Sequence, residues 1–176
     1  ADQAAQVVAA IREAGGKSGA IRADAGDAAA VRAAVLSAYE MLGRLDILVN
    51  NAGMFERVAL HESTDEQFDL VMRTNVLGAM RLLPILAPLL APAQGTLAFL
   101  SSRMGSIAEA QASYGMLYRV SKAAVNMVAK MAHADYSPMG LRVLTLHPGW
   151  VRTDMGGPNA DVAVTDSVAG LRGVIA

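Results

Sequence analysis

Tyr118 and Lys122 are the side chains whose types and spacing suggest chemistry most directly. They lie four residues apart in a segment predicted to be helical, so they share one face of the helix. An ammonium about 4 Å from a phenol supplies about 4 kcal/mol at an effective dielectric constant of about 20, enough to lower a phenol pKa from about 10 to about 7. The pair is therefore predicted to act as a general acid or base, although the spacing alone is common in helices. Tyr114 has Tyr118 four residues later and lacks such a partner.

Three polar or glycine-containing clusters follow three apolar segments that are predicted to be strands. Residues 50–53 (Asn-Asn-Ala-Gly) follow segment 45–49, Ser101 and Ser102 end segment 96–101, and residues 147–149 (His-Pro-Gly) follow segment 141–146. In an open parallel sheet, ligands bind outside the carboxyl ends of the strands. The sequence therefore predicts that the three clusters line one crevice, which we interpret as an active site.

The elements that must position these residues alternate between helix and strand. Helices are predicted over residues 2–14, 27–43, 64–90, 112–136 and 162–175, and strands over residues 19–23, 45–49, 96–101 and 141–146. Asp27 is a predicted N-cap, and residues 64–67 (Thr-Asp-Glu-Gln) resemble a capping box. Strands separated by helices indicate an α/β fold with a parallel sheet and helices on both faces. We expect residues 1–176 to form a single, partial domain.

Composition argues against several classes of protein. The 176 residues carry 15 Lys and Arg against 16 Asp and Glu, a net charge of -1, which offers no basic surface for nucleic acid or an anionic membrane. The absence of cysteine excludes disulfides and thiolate ligands, and the three histidines show no metal-ligand spacing. Segment 76–93 contains Arg81 and three prolines, so it is not predicted to span a membrane. The first residues do not resemble a secretory leader, and we expect a soluble, cytoplasmic protein.

Five motifs in register resemble the short-chain dehydrogenase/reductase family. They are residues 50–53 (Asn-Asn-Ala-Gly), 74–78 (Thr-Asn-Val-Leu-Gly), 101–105 (Ser-Ser-Arg-Met-Gly), 118–122 (Tyr-Arg-Val-Ser-Lys) and 148–153 (Pro-Gly-Trp-Val-Arg-Thr). Their order and intervals agree with the family across nearly the whole chain. Residues 118–126 and 147–157 look most like the branch of carbonyl reductases that includes the C-factor and sniffer proteins.

The resemblance implies roles for four catalytic residues. Tyr118 would give or take the proton at the oxygen of a carbonyl or secondary alcohol substrate, and Lys122 would lower its pKa and hold the nicotinamide ribose. Ser102 would orient the substrate oxygen, a role that Ser101 or Ser106 could also hold. Asn75 would hold a water that relays protons to Lys122.

The resemblance also implies a nicotinamide cofactor, either NAD or NADP. The implied cofactor-binding residues, besides Tyr118 and Lys122, are Asp24 near the adenine, Asn50, Ala52 and Gly53 along the cofactor, and Pro148, Gly149, Val151 and Thr153 at the nicotinamide carboxamide. The glycine-rich turn that cradles the pyrophosphate is missing, and so are the residues that choose between NAD and NADP.

The implied fold is a Rossmann-like, doubly wound parallel sheet that is truncated, with its first two strands and its last strand absent. Strand 19–23 then loses its neighbours, and strand 45–49 becomes an exposed apolar edge. The first methionine is Met41, which also suggests a piece of a longer protein.

Three alternatives to an oxidoreductase of small carbonyl compounds remain open at this point. Residues 7–24 resemble ketoacyl-thioester reductases, which would change the substrate class. A non-catalytic signalling or binding protein could keep the fold, but a scaffold has no need for Ser102, Tyr118 and Lys122. An inactive truncated product is the third alternative. The long helices that begin near residues 64 and 112 suggest a homo-oligomer.

Overall fold

The protein is described by a computed structural model that covers residues 2–24 and 27–176. Its strands are β1 (Ile47–Asn50), β2 (Thr96–Leu100) and β3 (Arg142–Leu146), and its helices are α1 (Asp2–Glu13), α2 (Ala28–Leu42), α3 (Asp65–Met72), α4 (Gly78–Leu90), α5 (Met116–Tyr136) and α6 (Val164–Ile175). The described residues form one parallel sheet in the order β1-β2-β3. The prediction of a Rossmann-like α/β fold with a reduced sheet is confirmed.

The register of the sheet brings the polar clusters to one edge. Asn50 at the end of β1 pairs with Phe99 of β2, and Leu100 at the end of β2 pairs with Leu146 at the end of β3. The three strands therefore end side by side, and the chain continues from each end into one of the polar clusters. This confirms the expected convergence of the strand ends.

Local chemistry determines where α2 and α3 begin. The Asp27 carboxylate accepts hydrogen bonds from the backbone N–H groups of Ala29 and Ala30, at 2.8 and 3.2 Å. Thr64 and Gln67 form the predicted capping box, in which each side chain bonds the other residue's backbone N–H. Both caps satisfy N–H groups that have no partner within the first turn of a helix.

The long helix predicted over residues 64–90 is interrupted by a π-helical turn at Arg73–Leu77, which separates α3 from α4. The helical stretch Asp65–Ala93 is long and apolar enough to cross a membrane by length and composition alone. Of the apolar 18-residue window within it, 33% is buried in the protein. One such helix is weak evidence for a membrane span because core helices pass the same test. Leu86 and Leu90 of this stretch are fully buried and pack in the hydrophobic core with Leu97 and Phe99 of β2.

The strand predicted at residues 19–23 is wrong. These residues follow a turn at the end of α1 and form no ladder with any strand that the structure describes. An extended segment becomes a strand only when a neighbour pairs with its N–H and C=O groups. The accompanying prediction, an apolar edge on β1, is confirmed because Ile47 is 50% exposed and Val49 is 43% exposed.

Candidate active site

Tyr118 and Lys122 lie on α5, beside the turn that follows β2. The Lys122 side chain is only 4% exposed, and its Nζ lies 5.4 Å from the centroid of the Tyr118 ring. Nζ donates a hydrogen bond of 2.6 Å to the carbonyl oxygen of Leu100, the last residue of β2. The hydroxyl of Ser102, two residues later, is near enough to the Tyr118 phenol to favour its ionised form. The structure therefore brings Ser102, Tyr118 and Lys122 together.

A close backbone approach holds the Ser102 turn against α5. A Cβ atom at Gly105 would lie 2.7 Å from the carbonyl carbon of Lys122 and 2.9 Å from the nitrogen of Ala123. Such distances do not occur for real Cβ atoms, so only glycine allows the turn Arg103–Gly105 to lie directly on the helix. Ser102 caps this turn by accepting a hydrogen bond from the backbone N–H of Met104.

The direction of the Tyr118 pKa differs from the sequence prediction, which is wrong on this point. Burial of the phenol raises the pKa of Tyr118, and the nearby Ser102 hydroxyl only opposes this increase. Burial also lowers the pKa of Lys122. The ammonium donates to the carbonyl oxygen of Leu100, and desolvation outweighs the expected attraction between ammonium and phenol.

The three serines that could have filled the same role differ in their partners. The Ser101 hydroxyl donates a 2.5 Å hydrogen bond to Oδ1 of Asn126, and Ser101 is buried. The Ser106 hydroxyl accepts a hydrogen bond from the backbone N–H of Glu109. Of the three, Ser102 is the one whose hydroxyl affects the pKa of the Tyr118 phenol, which favours it over the other two.

Asn75 lies in the π-helical turn and is buried, with 3% of its surface exposed. Its Oδ1 accepts from the backbone N–H of Met54 at 2.8 Å, and its Nδ2 donates to the carbonyl oxygen of Met54 at 3.0 Å and to the hydroxyl of Ser121 at 2.9 Å. Ser121 in turn donates to the carbonyl oxygen of Tyr118. Asn75 thus connects the segment after β1 to α5. Because both hydrogens of Nδ2 are used in these bonds, a water at Asn75 would have to donate a hydrogen bond to one of its oxygen atoms.

Gly53 lies between the polar ends of two predicted catalytic residues. The position of a Cβ atom at Gly53 is 3.5 Å from Oδ1 of Asn75 and 3.5 Å from Nζ of Lys122. Ala52 and Asn50 line a neighbouring cavity of about 160 Å³, and Nδ2 of Asn50 is buried without a hydrogen-bond partner among the described residues. A buried amide without a partner is costly, so this end of β1 has unused capacity to donate a hydrogen bond.

The predicted nicotinamide segment after β3 forms a closed loop. The carbonyl oxygen of Pro148 accepts a 2.6 Å hydrogen bond from Ser167, and Gly149 has a φ of 88°, which favours glycine. Val151 forms a bridge with Val162, and the Thr153 hydroxyl accepts from the backbone N–H of Gly156. Backbone and hydroxyl bonds therefore preorganise the four predicted residues of this segment.

Asp24 was placed by resemblance at the end of the strand 19–23, which the structure does not contain. Its carbonyl oxygen accepts a hydrogen bond from the backbone N–H of Asp27, at the start of α2. The strand end on which its assignment depended is therefore lost. The described residues contain no group of three or more His, Asp or Glu side chains arranged to hold a metal ion.

Sequence reasoning assigned no role of their own to two residues at the site. Phe55 packs edge-on against Tyr118, with ring centroids 5.0 Å apart and an interplanar angle of 75°. Nothing in the sequence separates Phe55 from any other apolar loop residue. Ser121, fully buried between Asn75 and Tyr118, could have been found from its place in the Tyr-Arg-Val-Ser-Lys motif, where it shares the buried side of the helix.

Comparisons with known proteins agree with this geometry. A family model described as short chain dehydrogenase matches residues 1–162. C-signal from Myxococcus xanthus is 40% identical over 137 residues, which are 76% of this chain and 81% of that protein. Oxidoreductase UcpA from Salmonella typhimurium is 34% identical over 137 residues, and there the match spans about half (51%) of the relative's length.

Two solved structures extend the likeness to the fold. NADPH-bound carbonyl reductase from chicken fatty liver has a TM-score of 0.87 and 30% identity, covering 98% of this chain and 74% of that one. Carbonyl reductase Sniffer of D. melanogaster has a TM-score of 0.91 and 25% identity, covering 99% of this chain and 76% of that one. The resemblance noted in the motifs is confirmed: this chain belongs to the short-chain dehydrogenase family of NAD(P)-dependent oxidoreductases.

Proposed function

We propose that this protein is an NAD(P)-dependent reductase of small carbonyl compounds, in which Tyr118 is the proton donor. The observation that carries the proposal is the buried Lys122 ammonium 5.4 Å from the centroid of the Tyr118 ring, with the Ser102 hydroxyl near the phenol. It is costly to bury a phenol beside an ammonium whose hydrogen bond is to a backbone carbonyl, and a purely structural role does not explain that arrangement.

The residues at the strand ends fit the nicotinamide end of the cofactor. Lys122 uses one N–H donor on Leu100, which leaves donors for a ribose hydroxyl, and Nδ2 of Asn50 at the end of β1 has no hydrogen-bond partner among the described residues. The loop 148–153 is preorganised beside the end of β3. By contrast, the N-terminus of α2 is occupied by the Asp27 carboxylate, which disfavours phosphate. The fit is therefore to the nicotinamide end, and we leave the choice between NAD and NADP open.

The protonation state of Tyr118 supports the reductive direction. When bound, the nicotinamide supplies the hydride that reaches the carbonyl carbon. The substrate oxygen then takes the phenol proton of Tyr118, which forms an O–H bond and leaves a phenolate that solvent protons neutralise. Because burial raises the pKa of Tyr118, the phenol holds its proton at neutral pH and is ready to donate it. The Ser102 hydroxyl stabilises the phenolate that remains.

The test is turnover of carbonyl compounds by the protein with NADH or NADPH, compared with its Tyr118→Phe and Tyr136→Phe variants. Tyr136 is on the same helix and packs against the core, so its variant controls for loss of a hydroxyl. We expect Tyr118→Phe to lower kcat by about 10²- to 10⁴-fold, the usual contribution of a general acid. Cofactor binding without turnover would contradict the proposal and favour a binding or signalling function; absence of binding would favour an inactive product.

The remaining proposals concern partners. We propose a small-molecule carbonyl or alcohol substrate and a cytoplasmic location. A homo-oligomer stays a prediction: Phe68 on α3 and Met127 and Met131 on α5 are each at least 43% exposed, as expected for helices that meet a second copy. Light scattering of the purified protein would measure its mass directly.

A further inference from the structure

An aromatic contact outside the predicted catalytic set determines the surroundings of Tyr118. Besides its edge-on contact with Tyr118, the Phe55 ring lies 5.8 Å from the Tyr114 ring, tilted by 52°. At Gly115, which has a φ of 66°, a Cβ atom would lie 2.9 Å from Cε2 of Phe55. The ring is therefore packed directly on the start of α5, and only glycine leaves room for it there.

Arg57 also contacts the Phe55 ring. Its Cζ atom lies 5.9 Å from the Phe55 centroid, within the range of a cation–π contact. Its Nη2 donates a 3.1 Å hydrogen bond to the carbonyl oxygen of Met155, in the segment after β3. Arg57 thus connects the segment that carries Phe55 to the loop that carries the predicted nicotinamide residues.

We propose that Phe55 is a specificity-determining residue that limits the size of the groups attached to the reacting carbonyl carbon, and that Arg57 is the positioning residue that holds its ring in place. The inference rests on the proposed function. A carbonyl oxygen that hydrogen-bonds Tyr118 brings its two substituents close to the phenol ring. Phe55 occupies the space on one side of that ring, so one substituent must pack against Phe55.

This arrangement selects a class of substrate. A ketone with one small and one flat apolar substituent can place the flat group against the Phe55 ring. A ketone with bulky groups on both sides meets the ring itself, which neighbours on α5 and Arg57 prevent from moving aside. The protein should therefore prefer aryl methyl ketones over diaryl ketones.

The experiment compares kcat/KM for acetophenone and benzophenone in the wild-type protein, Phe55→Ala, Arg57→Ala and Phe68→Ala. Phe68 on α3 is 43% exposed and serves as the matched control. We expect Phe55→Ala to raise the ratio of benzophenone to acetophenone by about tenfold or more, since a pocket discriminates by that factor or more for small changes in volume. Arg57→Ala should move the ratio the same way by a smaller factor, and Phe68→Ala should leave it unchanged.

A second readout needs neither cofactor nor turnover. If the Phe55 ring shields the phenol, Phe55→Ala admits water and moves the pKa of Tyr118 from its raised value toward the ordinary 10.0. The tyrosinate absorbance titration of each variant, minus that of its Tyr118→Phe derivative, measures this shift. A merely structural loss would lower kcat/KM for both ketones equally.

The two failures are distinguishable. Turnover with an unchanged ratio and an unchanged phenol titration in Phe55→Ala would overturn the role of Phe55 and leave the proposed function standing. Failure of the wild-type protein to reduce either ketone, or any other carbonyl compound, would overturn the proposed function together with the inference that rests on it.

Discussion

Replacement of Lys122 by methionine should make the protein more stable while it abolishes reduction. Lys122 is 4% exposed, and no carboxylate forms an ion pair with it in the part of the chain that the structure describes. Its charge is compensated by the carbonyl oxygen of Leu100 and by the face of the Tyr118 ring. Methionine has a similar length and fills the same space without a charge.

The magnitude follows from these contacts. An uncompensated buried charge costs about 3–5 kcal/mol. The hydrogen bond from a charged group returns about 1.5–3 kcal/mol, and the cation–π contact about 0.5–2 kcal/mol. The balance at mid-range is a net cost of about 0.5 kcal/mol, so Lys122→Met should raise the melting temperature by about 1–2 °C.

The pH dependence makes the prediction sharper. Burial lowers the pKa of Lys122 below its ordinary 10.5, so between the folded-state and unfolded-state values the unfolded chain holds more protons. Stability of the wild-type protein therefore rises with pH across that window, and the advantage of Lys122→Met shrinks. Lys130, exposed on the same helix, provides the control variant Lys130→Met, which removes a lysine charge from the surface instead of from a buried site.

The assay is urea unfolding of the three proteins at a series of pH values from neutral to about 10.5, with the wild-type protein as reference. A Lys122→Met variant that is less stable than the wild-type protein at neutral pH, or whose advantage grows with pH, would refute the reasoning. That result would mean that the contacts with Leu100 and Tyr118 outweigh the desolvation of the ammonium.

Three further predictions concern the residues that hold the site together and the phenol within it. Asn75→Ala removes three hydrogen bonds and should lower stability by about 3 kcal/mol, seen as a fall of about 6–12 °C in melting temperature, while Asn159→Ala on the surface should change little. Gly105→Ala should destabilise the protein and lower kcat because its Cβ would lie 2.7 Å from the backbone of α5. Gly170→Ala, which has open space around its Cβ, should do neither. Thermal unfolding and kcat measured for both variants provide the comparison. Absorbance titration of the cofactor-free protein, minus that of Tyr118→Phe, should show the Tyr118 phenol ionising above 10.0, and ionisation near neutral pH would contradict the raised pKa.

Local chemistry made the helices predictable. Asp27 and Thr64 cap α2 and α3 as their sequence contexts indicate, since a cap involves groups only two or three residues apart. The π-helical turn at Arg73–Leu77 was missed because an apolar pattern runs through it without a break. Strand 19–23 failed for a different reason: its apolar residues suit a strand, but a strand needs a neighbour to pair with, and the truncated sheet that the resemblance implies leaves this segment none.

The part of the candidate site that depends on residue type and spacing was predictable from the sequence. The part that depends on long-range packing was not. The spacing of Tyr118 and Lys122 puts both on one face of α5, and the structure keeps them adjacent. The contact with Phe55 is different, because Phe55 reaches Tyr118 from a loop far away in sequence. That contact depends on the open space at Gly115, which no periodicity encodes.

The pKa directions at Tyr118 and Lys122 have one cause with a chemical consequence. Their ordinary values, 10.0 and 10.5, lie close together, and burial raises the phenol value while it lowers the ammonium value. The two values therefore move toward each other. The sequence suggested a lysine that makes tyrosine a stronger acid. Under the proposed function, these directions favour instead a tyrosine that stays protonated until the substrate oxygen takes its proton, which solvent then replaces.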